Sequence, residues 1–262
     1  MFLDDFVETS HLNLLQPKSK LALAYLVSRG LSLQEIKENK IGLSPRFFKN
    51  IDEKKDDSKD AKIFNSWLGR NGSFVKNRIV FPIRDEFSAI KGIETRSLDK
   101  EACRVLRPDF KLKFKKLIEE LPSTEVRYKK FYLEKNKFMA VFYGLPEALP
   151  EIWRTKEVFL TEGIIDLLNL KHVKKNCLSP LTANFSKYQI DWLVRYVDTI
   201  YLLFDSDDKG KEAVENLKEI FERHGIQVHS ISIKAKDIND YVLKFGLKEF
   251  KFYINDKLET FF

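Results

Sequence analysis

Between residues 158 and 233, short apolar runs alternate with segments of helical period, and this alternation constrains the fold more than any other feature. Val158–Thr161 is an apolar run of strand length, and Ile164–Leu170 then reads as a helix. Lys175–Ser179 holds a second strand. Ser186-Lys187-Tyr188-Gln189 is a capping-box pattern that opens a helix to Tyr196. Thr199–Phe204 is a near-continuous apolar run, as expected of a strand buried on both faces. Lys209–His224 is amphipathic, with Ala213, Leu217, Ile220 and Phe221 on one face, and Gly225 ends it. Gln227–Ile233 supplies a fourth strand. Strand-helix alternation of this kind predicts an α/β fold, a mostly parallel four-stranded sheet with right-handed crossovers and flanking helices.

In an open parallel sheet, ligands bind beyond the carboxyl ends of the strands. Glu162 follows the first strand, Asp205 and Asp207 the third, and Asp237 and Asp240 the fourth. One sheet edge is thus expected to gather up to five acids. Like charges at close range repel, and a divalent cation relieves the repulsion; carboxylate oxygens suit magnesium or manganese. Asp205–Gly210 also looks like part of a calcium loop, but that loop would need an acid at its twelfth position, where Asn216 stands.

The first half is different. Residues 1–150 carry 29 Lys+Arg against 21 Asp+Glu, whereas residues 151–262 carry 17 against 18. A basic half beside a near-neutral one points to a polyanionic partner. Its densest basic run, Arg104–Lys116, interleaves Phe110 and Phe114 with six cations, a combination suited to single-stranded nucleic acid; a solvated charged face is the plainer reading. Lys18–Arg29 reads as a helix stopped by Gly30, and Ser32–Glu35 as another capping box. Residues 52–60 read as a mobile charged loop, and Arg78–Arg84 with Ala89–Arg96 as a hairpin. Pro146 and Pro150 suggest a break. The expected organisation is a basic α+β subdomain over 1–150, a catalytic α/β domain over 151–241, and a short helical tail over 242–262.

Two cysteines, Cys103 and Cys177, exclude a disulfide framework and a four-cysteine zinc site. No run approaches the length of a membrane-spanning helix and the N-terminus lacks a secretory pattern, so a cytoplasmic setting and no membrane partner are expected.

Three motifs then carry a resemblance. Glu162-Gly163-Ile164-Ile165-Asp166, Asp205-Ser206-Asp207-Asp208-Lys209-Gly210 and Lys236-Asp237-Ile238-Asn239-Asp240 resemble, in this order, the motifs of the TOPRIM domain shared by DnaG-type primases, topoisomerases and some nucleases. Ile238 stands where the primase branch usually has Pro, and Asn239 where many members have Asp. Leu181-Thr182 and Gln189 resemble the segment between the first two motifs. Further motifs choose the branch: Tyr25-Leu26 with Arg29-Gly30 and Ile41-Gly42; Arg78–Asp85 followed by Gly92 and Arg96; and Phe142-Tyr143-Gly144-Leu145-Pro146-Glu147-Ala148. All resemble the primase catalytic core.

The resemblance implies DNA-templated synthesis of short RNA primers on single-stranded DNA, by nucleotidyl transfer from nucleoside triphosphates with two or more Mg2+ or Mn2+ ions. It assigns metal binding to Glu162, Asp205, Asp207 and Asp237 with help from Asp240, and proton transfer to Glu162. Asp166 would orient its neighbours, and Gly163 and Gly210 would let the chain turn tightly beside a ligand. Arg78, Arg96 and Lys137 would contact template or nucleotide. Neither a zinc-binding domain nor a helicase-binding region is expected within this sequence, so a separate zinc-binding protein and a replicative helicase would be partners, with no zinc bound here. A TOPRIM nuclease or a non-catalytic single-stranded DNA-binding protein are the alternatives.

Overall fold

A computed structural model of the chain describes residues 3–45, 58–75, 77–121, 128–132, 141–181 and 185–261. They form two compact units, the first of residues 1–83 and 90–135, the second of residues 84–89 and 136–262.

The first unit runs α1 (Leu3–Leu14), α2 (Lys20–Ser28), α3 (Leu33–Glu38), β1 (Gly42–Leu43), α4 (Lys59–Val75), β2 (Arg78–Arg84), β3 (Ile90–Ser97), α5 (Pro108–Lys113), α6 (Lys115–Glu119) and β4 (Tyr128–Tyr132). Its four strands lie in chain order, β1 antiparallel to β2 and β3 antiparallel to β4. The expected hairpin is present, closed at its turn by the Asp85 N–H to the Ala89 carbonyl. Pro82 lacks a ladder donor and lies past Ile79 and Val80, where β1 pairs. Phe6 of α1 and Phe64 of α4 bury themselves against Val80, Ile93 and Phe131. Helix α1 also caps β1: His11 Nδ1 and Asn13 Nδ2 lie 2.8 Å from the Ile41 and Leu43 carbonyls. That approach needs Gly42, since a Cβ there would lie 2.6 Å from the Ser10 backbone.

The second unit runs α7 (Leu145–Thr155), β5 (Glu157–Thr161), α8 (Ile164–Leu170), β6 (Cys177–Leu178), α9 (Lys187–Tyr196), β7 (Thr199–Leu203), α10 (Asp208–Glu222), β8 (Gln227–Ser230), α11 (Ile238–Phe245) and α12 (Leu247–Glu259). The sheet order is β6-β5-β7-β8 and every pairing is parallel. The apolar continuity of β5 and β7 follows from burial on both faces. Val158, Leu160, Ile200 and Leu202 join one core, while Phe159 and Tyr201 stack at 4.5 Å on the other face. The strands therefore all end at one edge, which is the property the site requires.

Three boundaries differ from the sequence expectation. The prolines that suggested a break lie inside α7. Pro146 occupies the first turn, where a backbone N–H is unpaired anyway, and Pro150 gives up one helical hydrogen bond. The units part at residue 135 rather than 150. Within the expected helical tail, α12 buries Phe250 and Ile254. Of the supposed loop at 52–60, residues 52–57 lie outside the described residues and Lys59-Asp60 open α4. Among the described residues no helix is long and apolar enough to cross a membrane.

Candidate active site

Each motif acid sits where a parallel strand hands over to a helix. Glu162 and Gly163 link β5 to α8; Asp205 and Asp207 link β7 to α10; Asp237 precedes α11. Local chemistry fixes two of these junctions. Asp207 is the N-cap of α10, its Oδ1 accepting the Gly210 N–H at 2.9 Å. Asp237 is the N-cap of α11, its Oδ1 accepting the Asp240 N–H at 2.6 Å. Asp is favoured at such positions because its oxygen satisfies an otherwise unpaired helical N–H. Each cap uses Oδ1 and leaves Oδ2 for another partner.

The loops are tied together by backbone and hydroxyl contacts. The Ser206 N–H donates to the Lys236 carbonyl at 3.1 Å, joining the second motif to the third. Asp166 Oδ1 accepts the Asn239 N–H at 2.9 Å, joining the first to the third. Ser179, at the end of β6, donates its hydroxyl to the Glu162 carbonyl at 2.9 Å and accepts the Leu181 N–H. Leu181 itself adopts φ 68°, a left-handed conformation that costs a non-glycine residue on the order of 1 kcal/mol. Sequence reasoning missed Ser179, since nothing in a strand-end serine announces its partner.

Electrostatics brings four acids into one field. Burial, then the charges of Asp237 and Asp207, push the Asp205 carboxyl up to about 6, with Lys236 opposing. Burial, then Asp205 and Asp207, raise Glu162, partly offset by the Asp205 backbone N–H. Glu162 Oε1 is buried and has no hydrogen-bond partner among the described residues. A desolvated carboxylate oxygen without a donor, beside another acid that resists ionising, is the arrangement a cation relieves. Among the described residues no three acid, imidazole or thiol side chains converge closely enough to form a ready cage. Magnesium fits such a site: it keeps several waters and is held by one or two carboxylates together with substrate phosphates.

Other sequence expectations change. Asp240 is paired with Lys244. Burial pushes its carboxyl up, but the hydrogen bond from Lys244 at 2.7 Å, the Lys236 N–H and the charge of both lysines hold it below the usual range. Gly163, in the bend between β5 and α8, has φ −114°, which any residue adopts, but a Cβ there would lie 3.0 Å from Asp166 Oδ2. Gly210 lies inside α10, where a Cβ would come within 2.1 Å of the Asp205 carbonyl oxygen. It is required for close approach rather than for turning.

In the first unit, Arg78 is 4% exposed. Its guanidinium donates to Thr95 Oγ1 at 3.0 Å and to the Thr95 carbonyl at 3.3 Å, binding β2 to β3. Burial brings it down to about 10, against the charge of Asp99. The residue expected to contact template or nucleotide thus ties β2 to β3. Arg96 is half-buried between aromatic faces, 5.7 Å from the Tyr25 ring and 5.5 Å from the Tyr128 ring. Lys137 lies outside the described residues.

Residues 9–116 match the family described as DNA primase catalytic core, N-terminal domain, and residues 159–242 match the Toprim-like family. The DNA primase of Borreliella burgdorferi is 28% identical over 256 residues, covering 93% of this chain and 45% of the relative. That of Buchnera aphidicola is 26% identical over 255 residues, covering 92% and 40%. The chain thus spans less than half the length of these relatives. The structure of a DnaG primase catalytic domain bound to single-stranded DNA superposes with a TM-score of 0.71 at 20% identity, covering 97% of this chain and 79% of the other.

Proposed function

The chain belongs to the DnaG-type primase family, and from that premise we propose that it carries the nucleotidyl-transferring core of a primase, joining nucleoside triphosphates into short RNA on a single-stranded DNA template. The observation that carries this reading is the desolvated, donor-free Glu162 Oε1 beside Asp205. In our reading Glu162, Asp205, Asp207 and Asp237 hold divalent cations at the sheet edge. Bound there, Mg2+ or Mn2+ supplies positive charge that favours ionisation of the primer 3′-hydroxyl and neutralises the phosphate oxygens. Glu162, its carboxyl raised by burial and by Asp205, is the group suited to accept the hydroxyl proton. Asp207 and Asp237, fixed as helix caps, hold their second oxygens in place before any ligand arrives. Asp166 positions Asp237 through Asn239. The basic first unit, Arg96 included, would hold the template phosphates. Recruitment of a replicative helicase and of a separate zinc-binding protein belongs to the same proposal.

Primer synthesis on mixed-sequence single-stranded DNA, with Mg2+ or Mn2+ and all four ribonucleotides, tests it. Wild type should yield short RNA and Asp205→Ala none. Cutting of the strand without nucleotides, lost in Asp205→Ala, would instead make the chain a nuclease. Binding with no product in either metal, even with a zinc-binding partner added, would make it a non-catalytic binder.

A further inference from the structure

The carboxylates at the sheet edge are held in two different ways. Asp207 and Asp237 each give one oxygen to a helix N-terminus, and that bond fixes the side chain itself. Glu162 has no such bond. Among the described residues no side chain donates to its carboxylate, and Oε1 is buried without a partner. The aim of this long side chain therefore depends on where the backbone sets its Cα–Cβ bond.

Two hydroxyls fix that backbone. Ser179 Oγ donates to the Glu162 carbonyl at 2.9 Å. Thr161 Oγ1 donates to the next carbonyl, that of Gly163, at 3.2 Å. The Gly163 carbonyl also accepts the Leu167 N–H at 3.1 Å, the bond that opens α8. Peptide planes are rigid, so holding two successive carbonyls restrains both ψ angles of the Glu162-Gly163 bend. Both hydroxyl residues are fully buried; Thr161 ends β5, and Ser179 follows β6, the strand paired with it.

Ser179 is itself anchored. Its N–H donates to the Tyr143 carbonyl at 3.1 Å, and its carbonyl accepts the Tyr143 N–H at 2.8 Å. Its Oγ accepts the Leu181 N–H at 3.2 Å, which leaves the hydroxyl proton for the Glu162 carbonyl. Leu181 makes that contact from φ 68°. A leucine held in the left-handed region is strained, and the strain lies at the turn that orients the Ser179 hydroxyl. A buried hydroxyl on a carbonyl can serve the fold alone, as Ser19 does in the first unit, donating to the Asn13 carbonyl at 2.6 Å. Ser179 and Thr161 differ in that they converge on the two carbonyls that follow the Cα of a single acid, and that acid has no side-chain restraint of its own.

We infer that Ser179 and Thr161 are positioning residues for Glu162, a pair of hydroxyls that aims its carboxylate at the cation-binding edge through the backbone. Neither is a catalytic residue, since each acts through a peptide carbonyl. The inference rests on the primase reading only for the reaction that Glu162 serves.

The test removes each hydroxyl in the full chain, by Ser179→Ala and by the near-isosteric Thr161→Val. Mn2+ binding is titrated by electron paramagnetic resonance, and primer synthesis is measured at steady state. Each variant should weaken Mn2+ binding about tenfold and lower kcat about tenfold, with KM for the nucleoside triphosphates within about twofold of wild type. Thr161→Ser keeps the hydroxyl and should recover both readouts. Ser19→Ala removes a similar buried bond elsewhere and should leave both unchanged. If Ser179→Ala does not fold, Thr161→Val decides alone. Unchanged Mn2+ affinity and kcat in the folded variants would overturn the inference. So would equal losses in Ser19→Ala, or losses in Thr161→Val that Thr161→Ser does not recover. Wild type that binds Mn2+ but makes no primer, with binding weakened in both variants, would overturn the primase reading and leave the two hydroxyls in this role. Primer synthesis by wild type, unaffected in both variants, would do the reverse.

Discussion

Asp166 and Asn239 are 73 residues apart in sequence, and the Asp166 carboxylate accepts the Asn239 backbone N–H at 2.9 Å. A side chain in the first turn of α8 thereby fixes the backbone two residues beyond Asp237, the cap of α11. Asp237 in turn is the acid that acts most strongly on Asp205. A carboxylate of the first motif thus holds the backbone beside the third.

Replacing Asp166 by Ala should lower primer synthesis and the apparent Mg2+ affinity about 10- to 100-fold, the usual effect of losing a partner that orients ligands. Asp166→Asn keeps an acceptor oxygen and should recover most of both. Titration of activity with Mg2+ separates the two roles. A merely structural Asp166 would lower the yield of folded protein in Asp166→Ala and leave the metal requirement of the folded fraction unmoved.

Asp205 should cost the metal-free protein stability. Its carboxyl rises from 3.8 to about 6 on folding, so the folded chain binds that proton more tightly than the unfolded chain. The contribution is whole below pH 3.8 and is lost as pH rises through about 6. Allowing for its partial exposure, the loss is on the order of 1 kcal/mol. Asp205→Asn should therefore melt higher than wild type at neutral pH without metal, and alike near pH 4, while losing primer synthesis entirely. Thermal melts across pH, with EDTA or with Mg2+, check this. Mg2+ should raise the Tm of wild type more than that of the variant.

The sequence makes the acid positions legible because two independent regularities coincide on them. Asp205 ends the apolar run of β7, and Asp207 and Asp237 are the residue type that starts a helix, each at the head of one. Asp240 lies in the first turn of α11, where Lys244 one helical turn later pairs with its carboxylate. Arg78 reads as a template or nucleotide contact, and nothing local announces that Thr95, seventeen residues on, receives its guanidinium. The parallel sheet follows from periodicity, which is local information. The two prolines at 146 and 150 read locally as a break, whereas they lie within α7. Ser179 is the clearest omission, since its role depends on a carbonyl seventeen residues upstream.

Gly210 and Gly69 should respond in opposite ways to the same substitution. In Gly210→Ala the new Cβ would lie 2.1 Å from the Asp205 carbonyl oxygen, a backbone atom that cannot yield without moving the second motif. Destabilisation of about 2 kcal/mol or more is expected, with loss of activity in whatever folds. At Gly69, inside α4, nothing lies within 4 Å of the added atom. Gly69→Ala should stabilise by roughly 0.5–1 kcal/mol through helix propensity alone. Urea denaturation of both variants compares them. Equal effects would show that the approach of α10 to Asp205 is looser than the geometry requires.

The two cysteines should report on the two units separately. Cys103 lies in the first and Cys177 in the second, 2% and 1% exposed. Burial, then the charge of Asp99, pushes the Cys103 thiol up to about 11; burial raises Cys177 as well, and its Sγ donates to the Lys174 carbonyl at 3.1 Å. The thiolate is the reactive form, and at pH 8 a thiol at 11 is ionised to about one part in a thousand. An alkylating reagent at that pH should therefore label neither in the native protein and both in denaturant. In sub-denaturing urea, mass spectrometry of the labelled peptides gives the opening of each unit. If the units unfold independently, as their separate cores suggest, Cys103 and Cys177 will react at different urea concentrations. Coincident labelling would show that the chain opens as one cooperative body.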